Sequence, residues 1–477
     1  MKISKNLKTS PNQLGGGQLP SGYDIITFTM HDGDWVKSIK LPAIAKDDAF
    51  VIINSDATYS SEVDHSNMLF SSTTVIFKND QYIFKYIAAY KGWVVYSAPQ
   101  REQKPKDINS QMVHPTSQTT IVNFYDENRI KKIRLPETAG DRDKVILKSS
   151  ASCMTIIDDS NVNMPGAMIL QSGQQYDFFY IAENAKWQLM HSPDIVYEAK
   201  DLSNGVVPAL TTPKTIINTS DENYQDKFYF PDNQTPGSRI IINSNYTFDT
   251  EIQASGGSYT ISKGELVSFK VNADQTWNRE TITIDLLLLY SDKAAIRLGE
   301  EKVKNLLIES LNTTNEALEN SGASFRLRKK DIRQVKAKDN WIDLTWPLME
   351  LPKDPIVQGW WKELRVDGIY YEGTEGGACG FTSPELYRII TVGLVDCGTT
   401  VMRHEIGHGL NVVDGDASNS YNKGNTLLMT IMAGNEIPYY STPHRYTPEY
   451  GIPLGIVDKV DAVRAMNEAA KNIVAHR

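Results

Sequence analysis

The first 280 residues contain the same arrangement of sequence landmarks three times, and this repeat restricts the possible folds more than any other feature. Each copy has a short apolar run that ends in a proline, and each finishes near a tryptophan. The prolines lie 94 and 95 positions apart, and proline and tryptophan are separated by 51, 51 and 46 positions. The landmark pairs are Pro42 and Trp93, Pro136 and Trp187, and Pro231 and Trp277. A spacing kept three times indicates three copies of one domain.

The residues between these landmarks favour β-strands. Runs such as Val51–Ile53 and Ile240–Ile242 are β-branched, and Asn, Asp, Gly and Ser separate them. We therefore predict three tandem all-β repeat domains, at residues 23–100, 113–193 and 210–280, each a small sandwich or barrel. The polar stretches 97–113 and 192–210 are expected to be linkers between separate domains. Residues 1–22, with three consecutive glycines, are expected to form a flexible N-terminus.

The repeats allow two functional interpretations. They are either spacers that solubilise the chain, or modules that bind carbohydrate or another surface. Aromatic side chains that could stack on sugars are equally compatible with a place in the core. These candidates are Tyr59, Tyr90, Tyr96, Tyr180 and Tyr246.

Charge and hydropathy exclude two classes of partner. The 477 residues include 49 basic and 58 acidic side chains, so the net charge is −9 and a nucleic-acid partner is not expected. No apolar run reaches the 18 or so residues that a membrane span requires, so no membrane span is expected. The N-terminal segment also lacks the apolar core of a signal peptide. The chain is therefore either cytoplasmic or a secreted protein without its signal.

The sequence pattern changes near residue 280. Thr283–Tyr290 is an apolar strand, and Ser291 is a good start for a helix. Val303, Leu307 and Leu311 then recur on one helical face, and a further strand follows Gly322. This order of strand, long helix and strand predicts an α/β domain over residues 281–477.

The motif that carries chemistry is His404–Glu405–Ile406–Gly407–His408. Two histidines four positions apart leave the same face of a helix, where both rings can reach one zinc ion at about 2.0–2.1 Å. Glu405 lies beside them and is placed to act as a general base. An accidental HExxH is usually an exposed helix face, whereas this helix is otherwise apolar. The next acidic residues, Asp414 and Asp416, are rival candidates for a third ligand.

These features resemble the metzincin clan of zinc endopeptidases, whose motif is HExxHxxGxxH or its aspartate variant, followed by a methionine-bearing turn. The resemblance, of the reprolysin-like and snapalysin-like type, implies Zn²⁺ held by His404, His408 and Asp414, with Met432 beneath the metal. Asn411 replaces the usual glycine, and asparagine best tolerates the positive φ expected there.

The same resemblance implies roles for residues outside the zinc motif. Cys379 and Cys397 would pair in a disulfide, and Gly380 and Phe381 would begin the edge strand that binds substrate. Tyr439 and Tyr440 fall where the wall of the specificity pocket would be, although both could be core residues. Cys153 is expected to be a buried apolar residue, with a zinc-blocking switch as the alternative.

The resemblance also implies a function. Tandem β repeats before a metzincin domain are similar to secreted bacterial proteases that attack O-glycosylated host proteins. We therefore expect a secreted, extracellular, monomeric zinc metalloendopeptidase, a virulence-type hydrolase that uses zinc-activated water and Glu405 as base. Its partners would be protein or glycoprotein substrates, with glycan binding by the repeats. The alternatives are a carbohydrate- or surface-binding adhesive protein with an inactive zincin domain, and a zincin that cleaves a non-peptide amide.

Overall fold

Three β-sandwiches precede a mixed α/β domain, as the sequence pattern predicted. The computed structural model describes residues 5–108, 112–113, 118–163, 165–245, 248–262, 264–383, 387–415 and 420–476. We name the β domains sandwich 1 (residues 6–97), sandwich 2 (100–191) and sandwich 3 (195–279), and the remainder the α/β domain. Each sandwich packs a five-stranded sheet against a three-stranded sheet.

Sandwich 1 defines the topology of all three. Its five-stranded sheet has the order β1-β2-β4-β7-β8, and its smaller sheet has the order β3-β5-β6. A short helix α1, Pro11–Leu14, follows the first strand. The strands are β1 Asn6–Thr9, β2 Ile25–Met30, β3 Ser38–Lys40, β4 Phe50–Ser55, β5 Ser61–Asp64, β6 Val75–Ile76, β7 Gln81–Ile87 and β8 Gly92–Ser97.

Sandwiches 2 and 3 repeat this arrangement strand for strand. The strands of sandwich 2 are β9 Gln100–Gln103, β10 Thr119–Phe124, β11 Lys132–Arg134, β12 Lys144–Ser149, β13 Thr155–Asp158, β14 Ile169–Leu170, β15 Gln175–Ile181 and β16 Lys186–His191. Those of sandwich 3 are β17 Ile195–Glu198, β18 Lys214–Ser220, β19 Lys227–Tyr229, β20 Arg239–Asn245, β21 Thr250–Ala254, β22 Gly257–Ile261, β23 Leu266–Val271 and β24 Trp277–Arg279.

The segments expected to be a flexible N-terminus and two linkers contain the first strand of each sandwich. Strand β1 pairs in parallel with β2, so the described part of the 1–22 segment is ordered and that prediction is wrong. In the same way β9 pairs with β10 and β17 with β18, within the stretches expected to be linkers. Strands β1 and β9 have few apolar residues, and β17 is only four residues long, so hydrophobic periodicity did not reveal these edge strands.

The proline and tryptophan landmarks are joined directly in space. In every sandwich the indole Nε1 donates a hydrogen bond to the carbonyl oxygen of the landmark proline. The N···O distances are 2.8 Å for Trp93–Pro42, 2.7 Å for Trp187–Pro136 and 3.0 Å for Trp277–Pro231. The three tryptophans are among the largest fully buried side chains of the protein. The repeated spacing therefore records a buried hydrogen bond.

The four domains contact one another directly, so they are not separate units on linkers. Asp143 of sandwich 2 accepts hydrogen bonds from the backbone nitrogen (2.7 Å) and hydroxyl (2.6 Å) of Thr73 in sandwich 1. Ser238 of sandwich 3 accepts a hydrogen bond of 2.8 Å from the Ala167 nitrogen of sandwich 2. Thr283 of the α/β domain donates to Glu265 of sandwich 3 at 2.7 Å.

Arg142 forms the junction of sandwiches 1 and 2 with the α/β domain. Its guanidinium lies 4.4 Å from the ring centroid of Phe70, 5.5 Å from that of Phe179 and 5.4 Å from that of Tyr446. Its Nε also donates a 2.8 Å hydrogen bond to the carbonyl oxygen of Gly451. One buried side chain thus holds together three domains of the chain.

The α/β domain is built on a five-stranded sheet of order β26-β25-β27-β29-β28, in which only the edge strand β28 is antiparallel. Its strands are β25 Ile282–Ser291, β26 Phe325–Val335, β27 Gly368–Gly373, β28 Gly380–Ser383 and β29 Ile389–Leu394. Its helices are α2 Asp292–Leu298, α3 Glu300–Ser321, α4 Thr345–Glu350, α5 Pro355–Leu364, α6 Val401–Gly409 and α7 Ala462–Ala475.

Local sequence signals explain where the helices begin and end. The Ser291 hydroxyl caps α2 by accepting a hydrogen bond of 2.9 Å from the Ala294 nitrogen. Helix α3 ends at Ser321 and is capped by Gly322, whose φ is +76°. Apolar cores fill both faces of the sheet, and the core on the α3 side also contains Met402 and Ile406 of α6. This burial fixes α6 beneath the sheet edge.

The aromatic residues considered for sugar binding, and the cysteine of sandwich 2, differ in how far they are exposed. Tyr59 and Tyr96 are exposed, Tyr90 is half-buried and Tyr180 is core, while Tyr246 lies outside the described residues. Cys153 is an exposed free thiol, so its expected burial is wrong. Across the described part of the chain, every helix is too short or too polar to cross a bilayer.

Candidate metal centre

Helix α6 carries both histidines of the motif. The rings of His404 and His408 lie edge to face with their centroids 4.8 Å apart, so they leave adjacent turns on one side of the helix. Both side chains are half-buried, whereas the opposite side of α6 is buried in the core. The helix therefore presents two imidazoles at a partly open surface.

Hydrogen bonds fix the tautomer of both rings. The Nδ1 of His404 lies 2.9 Å from the carbonyl oxygen of Ile431, and the Nδ1 of His408 lies 2.9 Å from that of Val412. A carbonyl oxygen only accepts hydrogen bonds, so both Nδ1 atoms carry the proton. Each Nε2 then keeps a lone pair for a metal, as a backbone carbonyl behind a ligating histidine usually ensures.

The chain turns back after α6 and returns Asp414 to the two rings. Asn411 has a φ of +64°, the left-handed conformation expected at this position. Asp414 Oδ1 then lies 3.6 Å from His404 Nε2 and 3.7 Å from His408 Nε2. Asp416, the rival ligand, lies outside the described residues.

The three side chains fit a tetrahedral zinc site. Their ligand atoms lie within 4.8 Å of one another, and this is the only such group of three or more found among the described residues. Ligands about 2.1 Å from a tetrahedral zinc stand roughly 3.4 Å apart, close to the two histidine–aspartate distances. Two neutral imidazoles and one carboxylate are also a donor set that zinc favours. The sulfur of Cys153 does not belong to this group.

Met432 lies directly beneath α6. A Cβ atom placed on Gly407 would come within 2.2 Å of the Met432 sulfur, so the helix needs glycine between the two histidines. Met432 is fully buried, and its carbonyl oxygen accepts a hydrogen bond of 2.9 Å from the Gly415 nitrogen. The turn at Met432 therefore supports both the helix and the segment that bears Asp414.

Glu405 is enclosed between α6 and the edge strand β28. A Cβ atom on Gly380 would meet the Glu405 Cγ and Oε1 at 2.6 Å, so only glycine allows the strand to approach this closely. The Thr382 hydroxyl donates a 2.8 Å hydrogen bond to Glu405 Oε2. Burial raises the pKa of Glu405, and the hydrogen bond from Thr382 opposes that rise. A desolvated carboxylate of this kind is a stronger base than an exposed one.

A second buried carboxyl group lies on β27. The Tyr370 hydroxyl donates a 2.8 Å hydrogen bond to Glu372 Oε1, while Glu372 Oε2 is without a hydrogen-bond partner among the described residues. Burial raises the pKa of Glu372 to about 8. A Cβ atom on Gly393 would meet the Tyr370 hydroxyl at 2.2 Å, so this pair lies under the neighbouring strand β29.

A disulfide ties strand β28 to the segment just before α6. The predicted pair is confirmed, because Cys379 is bonded to Cys397 across an 18-residue separation. Cys397 ends a short 3-10 helix four residues before α6, and Cys379 directly precedes β28. Gly380 and Phe381 are half-buried on this edge strand, with Phe381 packed against the core on the side of α5.

The two tyrosines expected at the pocket wall have different positions. Tyr440 is fully buried and its hydroxyl donates to the Arg403 carbonyl of α6, so of the two positions expected for it, it takes the core position and not the pocket wall. Its nitrogen is also bound to Ser321, at the end of α3, at 2.8 Å. Tyr439 is half-buried in a cavity of about 370 Å³ between sandwiches 2 and 3 and the α/β domain.

Sequence reasoning missed three residues that organise the site, namely Thr382, Arg403 and Asn435. Thr382 was not singled out because a threonine on a strand is ordinary. Arg403 is buried, and its Nε donates to Asn435 Oδ1 at 2.6 Å, while Asn435 Nδ2 donates to the Thr400 carbonyl at 2.9 Å. This clamp joins the turn after Met432 to the start of α6. Its only sequence signal is an arginine directly before His404 on an otherwise apolar helix.

One protein-family model and one solved structure are clearly similar to this chain. The family model described as metalloprotease StcE, beta-sandwich domain, matches three times, at residues 23–97, 117–191 and 212–281. No curated protein gives a significant match. A chain in a solved structure entitled "Structure of a chaperone-substrate complex" is 31% identical, with a TM-score of 0.90, and the alignment covers 100% of this chain and 94% of that one.

Two further solved structures show weaker similarity. StcE(132–251) of enterohemorrhagic E. coli is 15% identical over 19% of this chain and 90% of its own, with a TM-score of 0.17. Metalloproteinase-II from Bacteroides fragilis is 11% identical over 48% of this chain and 90% of its own, with a TM-score of 0.25. The chain therefore belongs to the same family as the relative that it resembles over its full length, and its three sandwiches are β-sandwich domains of the type described for metalloprotease StcE.

Proposed function

We propose that this protein is a zinc-dependent endopeptidase whose metal ligands are His404, His408 and Asp414 and whose general base is Glu405. The observation that carries the proposal is the convergence of two imidazole Nε2 atoms and one carboxylate oxygen beside a buried carboxylate. Three protein ligands leave a further coordination position, the arrangement typical of catalytic rather than structural zinc.

Each residue of the proposed site has its own chemical role. Bound zinc supplies Lewis acidity, which favours attack by water on a peptide carbonyl and stabilises negative charge on its oxygen. Glu405 takes the proton of the attacking water and gives it to the leaving amine. Thr382 holds the Glu405 carboxylate in place through its hydroxyl. The carbonyl oxygens of Ile431 and Val412 hold the two histidines in the metal-binding tautomer.

The edge strand β28 is the proposed binding site for the peptide. It is the outermost strand of the sheet, and it contacts the residue proposed as base through Gly380. A peptide can add to such an edge as a further antiparallel strand through backbone hydrogen bonds. Phe381 then lies on the strand next to the reacting bond, and the Cys379–Cys397 disulfide keeps that strand against α6.

The proposed substrates are extracellular glycoproteins, and the proposed site of action is outside the producing cell. A disulfide is typical of oxidising compartments. The sandwiches contact the α/β domain through Arg142, so a substrate bound to them is held close to the metal centre. We propose that the sandwiches take part in substrate recognition.

Metal content and hydrolysis together test the proposal. The wild-type protein is expected to bind one zinc ion per chain by elemental analysis and to cleave a fluorogenic peptide or casein in a phenanthroline-sensitive manner. Glu405→Gln keeps the metal and loses nearly all activity, whereas His404→Ala loses both. His191→Ala, which changes an exposed histidine of sandwich 2, is the matched control and retains both. Full activity of Glu405→Gln contradicts the assignment of the base.

The alternative function is a carbohydrate- or surface-binding protein with an inactive zincin domain. The repeated sandwiches favour it, whereas the enclosed Glu405 and its Thr382 partner favour an active enzyme. Stoichiometric zinc without hydrolysis of casein, mucin or short peptides supports this alternative. Cleavage that requires Glu405 excludes it.

A further inference from the structure

Sandwich 1 carries a pair of aromatic side chains in two of its loops, one ring exposed and the other half-buried. Trp35 lies in the loop between β2 and β3, and Tyr59 lies in the loop between β4 and β5. Their ring centroids are 5.7 Å apart and the ring planes are inclined by 48°. Tyr59 is 69% exposed, whereas Trp35 packs partly on the core. The two rings therefore form an open angle at the surface.

Sandwich 3 carries a second aromatic pair in the corresponding loops. Tyr224 lies between β18 and β19, and Phe248 lies between β20 and β21. Their ring centroids are 5.5 Å apart with an interplanar angle of 63°. Phe248 is 59% exposed and Tyr224 is 37% exposed. The Tyr224 hydroxyl donates to the Asp249 carbonyl at 3.1 Å, which fixes its ring.

The two pairs occupy identical positions of the repeat. Trp35 and Tyr224 each stand seven positions before the landmark proline, and Tyr59 and Phe248 each stand seventeen positions after it. Sandwich 2 has Arg129 and Cys153 at these positions, and both are exposed. Since the buried landmarks are kept in all three sandwiches, the aromatic pair is not needed for the sandwich to fold. Its presence in two of three copies points to a surface role.

Polar groups border the pair of sandwich 1. A shallow cavity of about 520 Å³ is lined by the two rings together with Asp32, Gly33 and Thr58. Asp32 accepts hydrogen bonds of 2.7 Å from both the nitrogen and the hydroxyl of Thr58. These bonds lower the pKa of Asp32, so its exposed carboxylate is ionised and remains an acceptor beside the rings.

We propose that the Trp35–Tyr59 and Tyr224–Phe248 pairs are saccharide-binding sites of sandwiches 1 and 3. Aromatic faces stack on the C–H faces of sugar rings, and a neighbouring carboxylate accepts hydrogen bonds from sugar hydroxyls, so the chemistry of the cavity suits a neutral or hydroxyl-rich glycan. The inference rests on the proposed glycoprotein substrate but does not require proteolysis. Two equivalent sites on one chain provide multivalent attachment to a glycan-covered polypeptide.

Mucin binding by a catalytically silent protein tests this inference. The full chain carrying Glu405→Gln is measured by affinity electrophoresis in gels containing gastric mucin, either intact or stripped of its O-glycans. Tyr59→Ala or Phe248→Ala alone is expected to weaken retardation about tenfold, or roughly 1.4 kcal/mol. The double variant is expected to show no retardation. Exposed rings are chosen because their removal leaves the core intact, which thermal unfolding verifies.

Matched controls separate the possible outcomes. Arg129→Ala with Cys153→Ala changes the same positions of sandwich 2 and is expected to leave binding unchanged. Undiminished retardation of the double variant overturns the proposal, as does equal retardation in stripped mucin, which indicates a polypeptide ligand. In a background with Glu405 intact, Tyr59→Ala and Phe248→Ala keep wild-type hydrolysis of a short unglycosylated peptide. Loss of that hydrolysis contradicts a separate binding site, whereas an inactive wild type contradicts only the proposed enzyme.

Discussion

The indole nitrogen of Trp187 lies 2.7 Å from the carbonyl oxygen of Pro136, 51 positions earlier in the chain, and the tryptophan is fully buried. The bond connects the last strand of sandwich 2 with the loop that follows β11. Equivalent bonds at Trp93 and Trp277 show that the same closure is used in each sandwich. A buried acceptor without its donor is costly, so the spacing of proline and tryptophan is under physical constraint.

Replacement of Trp187 by phenylalanine tests this closure. Phenylalanine keeps an aromatic ring in the core but removes the donor to Pro136. We expect the free energy of unfolding to fall by about 1–3 kcal/mol from the lost hydrogen bond, plus a contribution from the smaller ring. Chemical denaturation measures the change, and Tyr125→Phe, on an exposed ring of sandwich 2, is the control. An unchanged midpoint contradicts a stabilising role for the bond.

Replacement of Arg142 by methionine is expected to loosen the α/β domain from sandwiches 1 and 2. Methionine preserves apolar contact but removes the cation between three rings and the donor to Gly451. Backbone amides of residues 445–453 should exchange with deuterium at least tenfold faster, which corresponds to about 1.4 kcal/mol of lost local stability. Arg134→Met, at an exposed arginine of sandwich 2, should leave this exchange unchanged. Equal exchange in both variants contradicts the junction.

Removal of the Cys379–Cys397 disulfide is expected to lower both stability and hydrolysis. Closure of a loop of this length is worth about 3 kcal/mol in the chain-entropy description. Without the bond, β28 is free to move away from Glu405, so hydrolysis falls as well. The double change Cys379→Ala/Cys397→Ala is compared with Cys153→Ala, which alters an exposed thiol and should have no effect. Wild-type activity of the double variant shows that the strand is held by other contacts.

Thr382→Val removes the hydroxyl that donates to Glu405 Oε2. That hydrogen bond lowers the pKa of Glu405, so its loss raises the pKa and moves the acidic limb of the pH–rate profile to higher pH. A hydrogen bond to a charged group is worth about 1.5–3 kcal/mol, so a shift of about one pH unit or more is expected. Thr382→Ser retains the hydroxyl and should restore the original limb. Identical pH–rate profiles for the Thr382→Val and Thr382→Ser variants contradict the proposal that the Thr382 hydroxyl lowers the pKa of Glu405.

The buried carboxyl group of Glu372 is expected to make the free energy of unfolding fall as the pH rises. Its pKa is raised to about 8 by burial, so between about pH 4.5 and 8 the folded protein binds more protons at this group than the unfolded chain. Stability therefore falls as pH rises through this window, by at most about 1.4 kcal/mol per unit. Glu372→Gln removes this contribution, and its melting temperature should decrease less than that of wild type between pH 5 and 9. Parallel curves for the two proteins contradict a raised pKa.

The sequence predicted the features that are encoded locally or by repetition. The proline–tryptophan spacing predicted three equivalent β domains, and the strand–helix–strand order before residue 330 predicted the α/β domain. The positive φ of Asn411 followed from the position of the expected glycine. In each case the signal was a residue type whose physical preference is strong, such as a β-branched run or an asparagine in the left-handed region.

Features that depend on contacts between distant segments could not be predicted in this way. Strands β1, β9 and β17 are each only four residues long, and each pairs with the strand that follows it in the chain. Tyr440 looked like a pocket residue, but packing against α3 and α6 buries it. Arg142 is one arginine among many in the sequence, and only the assembled domains bring three rings around it. Long-range contacts of this kind leave no periodic signal.

Because the segment between neighbouring sandwiches contains the first strand of the next sheet, the chain has no freely extensible linker at these points. Lengthening β9 or β17 by one residue would invert which side chains face inward along that strand instead of giving the domains freedom to swing. Natural variants are therefore expected to change the reach of this protein by gaining or losing whole sandwiches, not by stretching the joints between them.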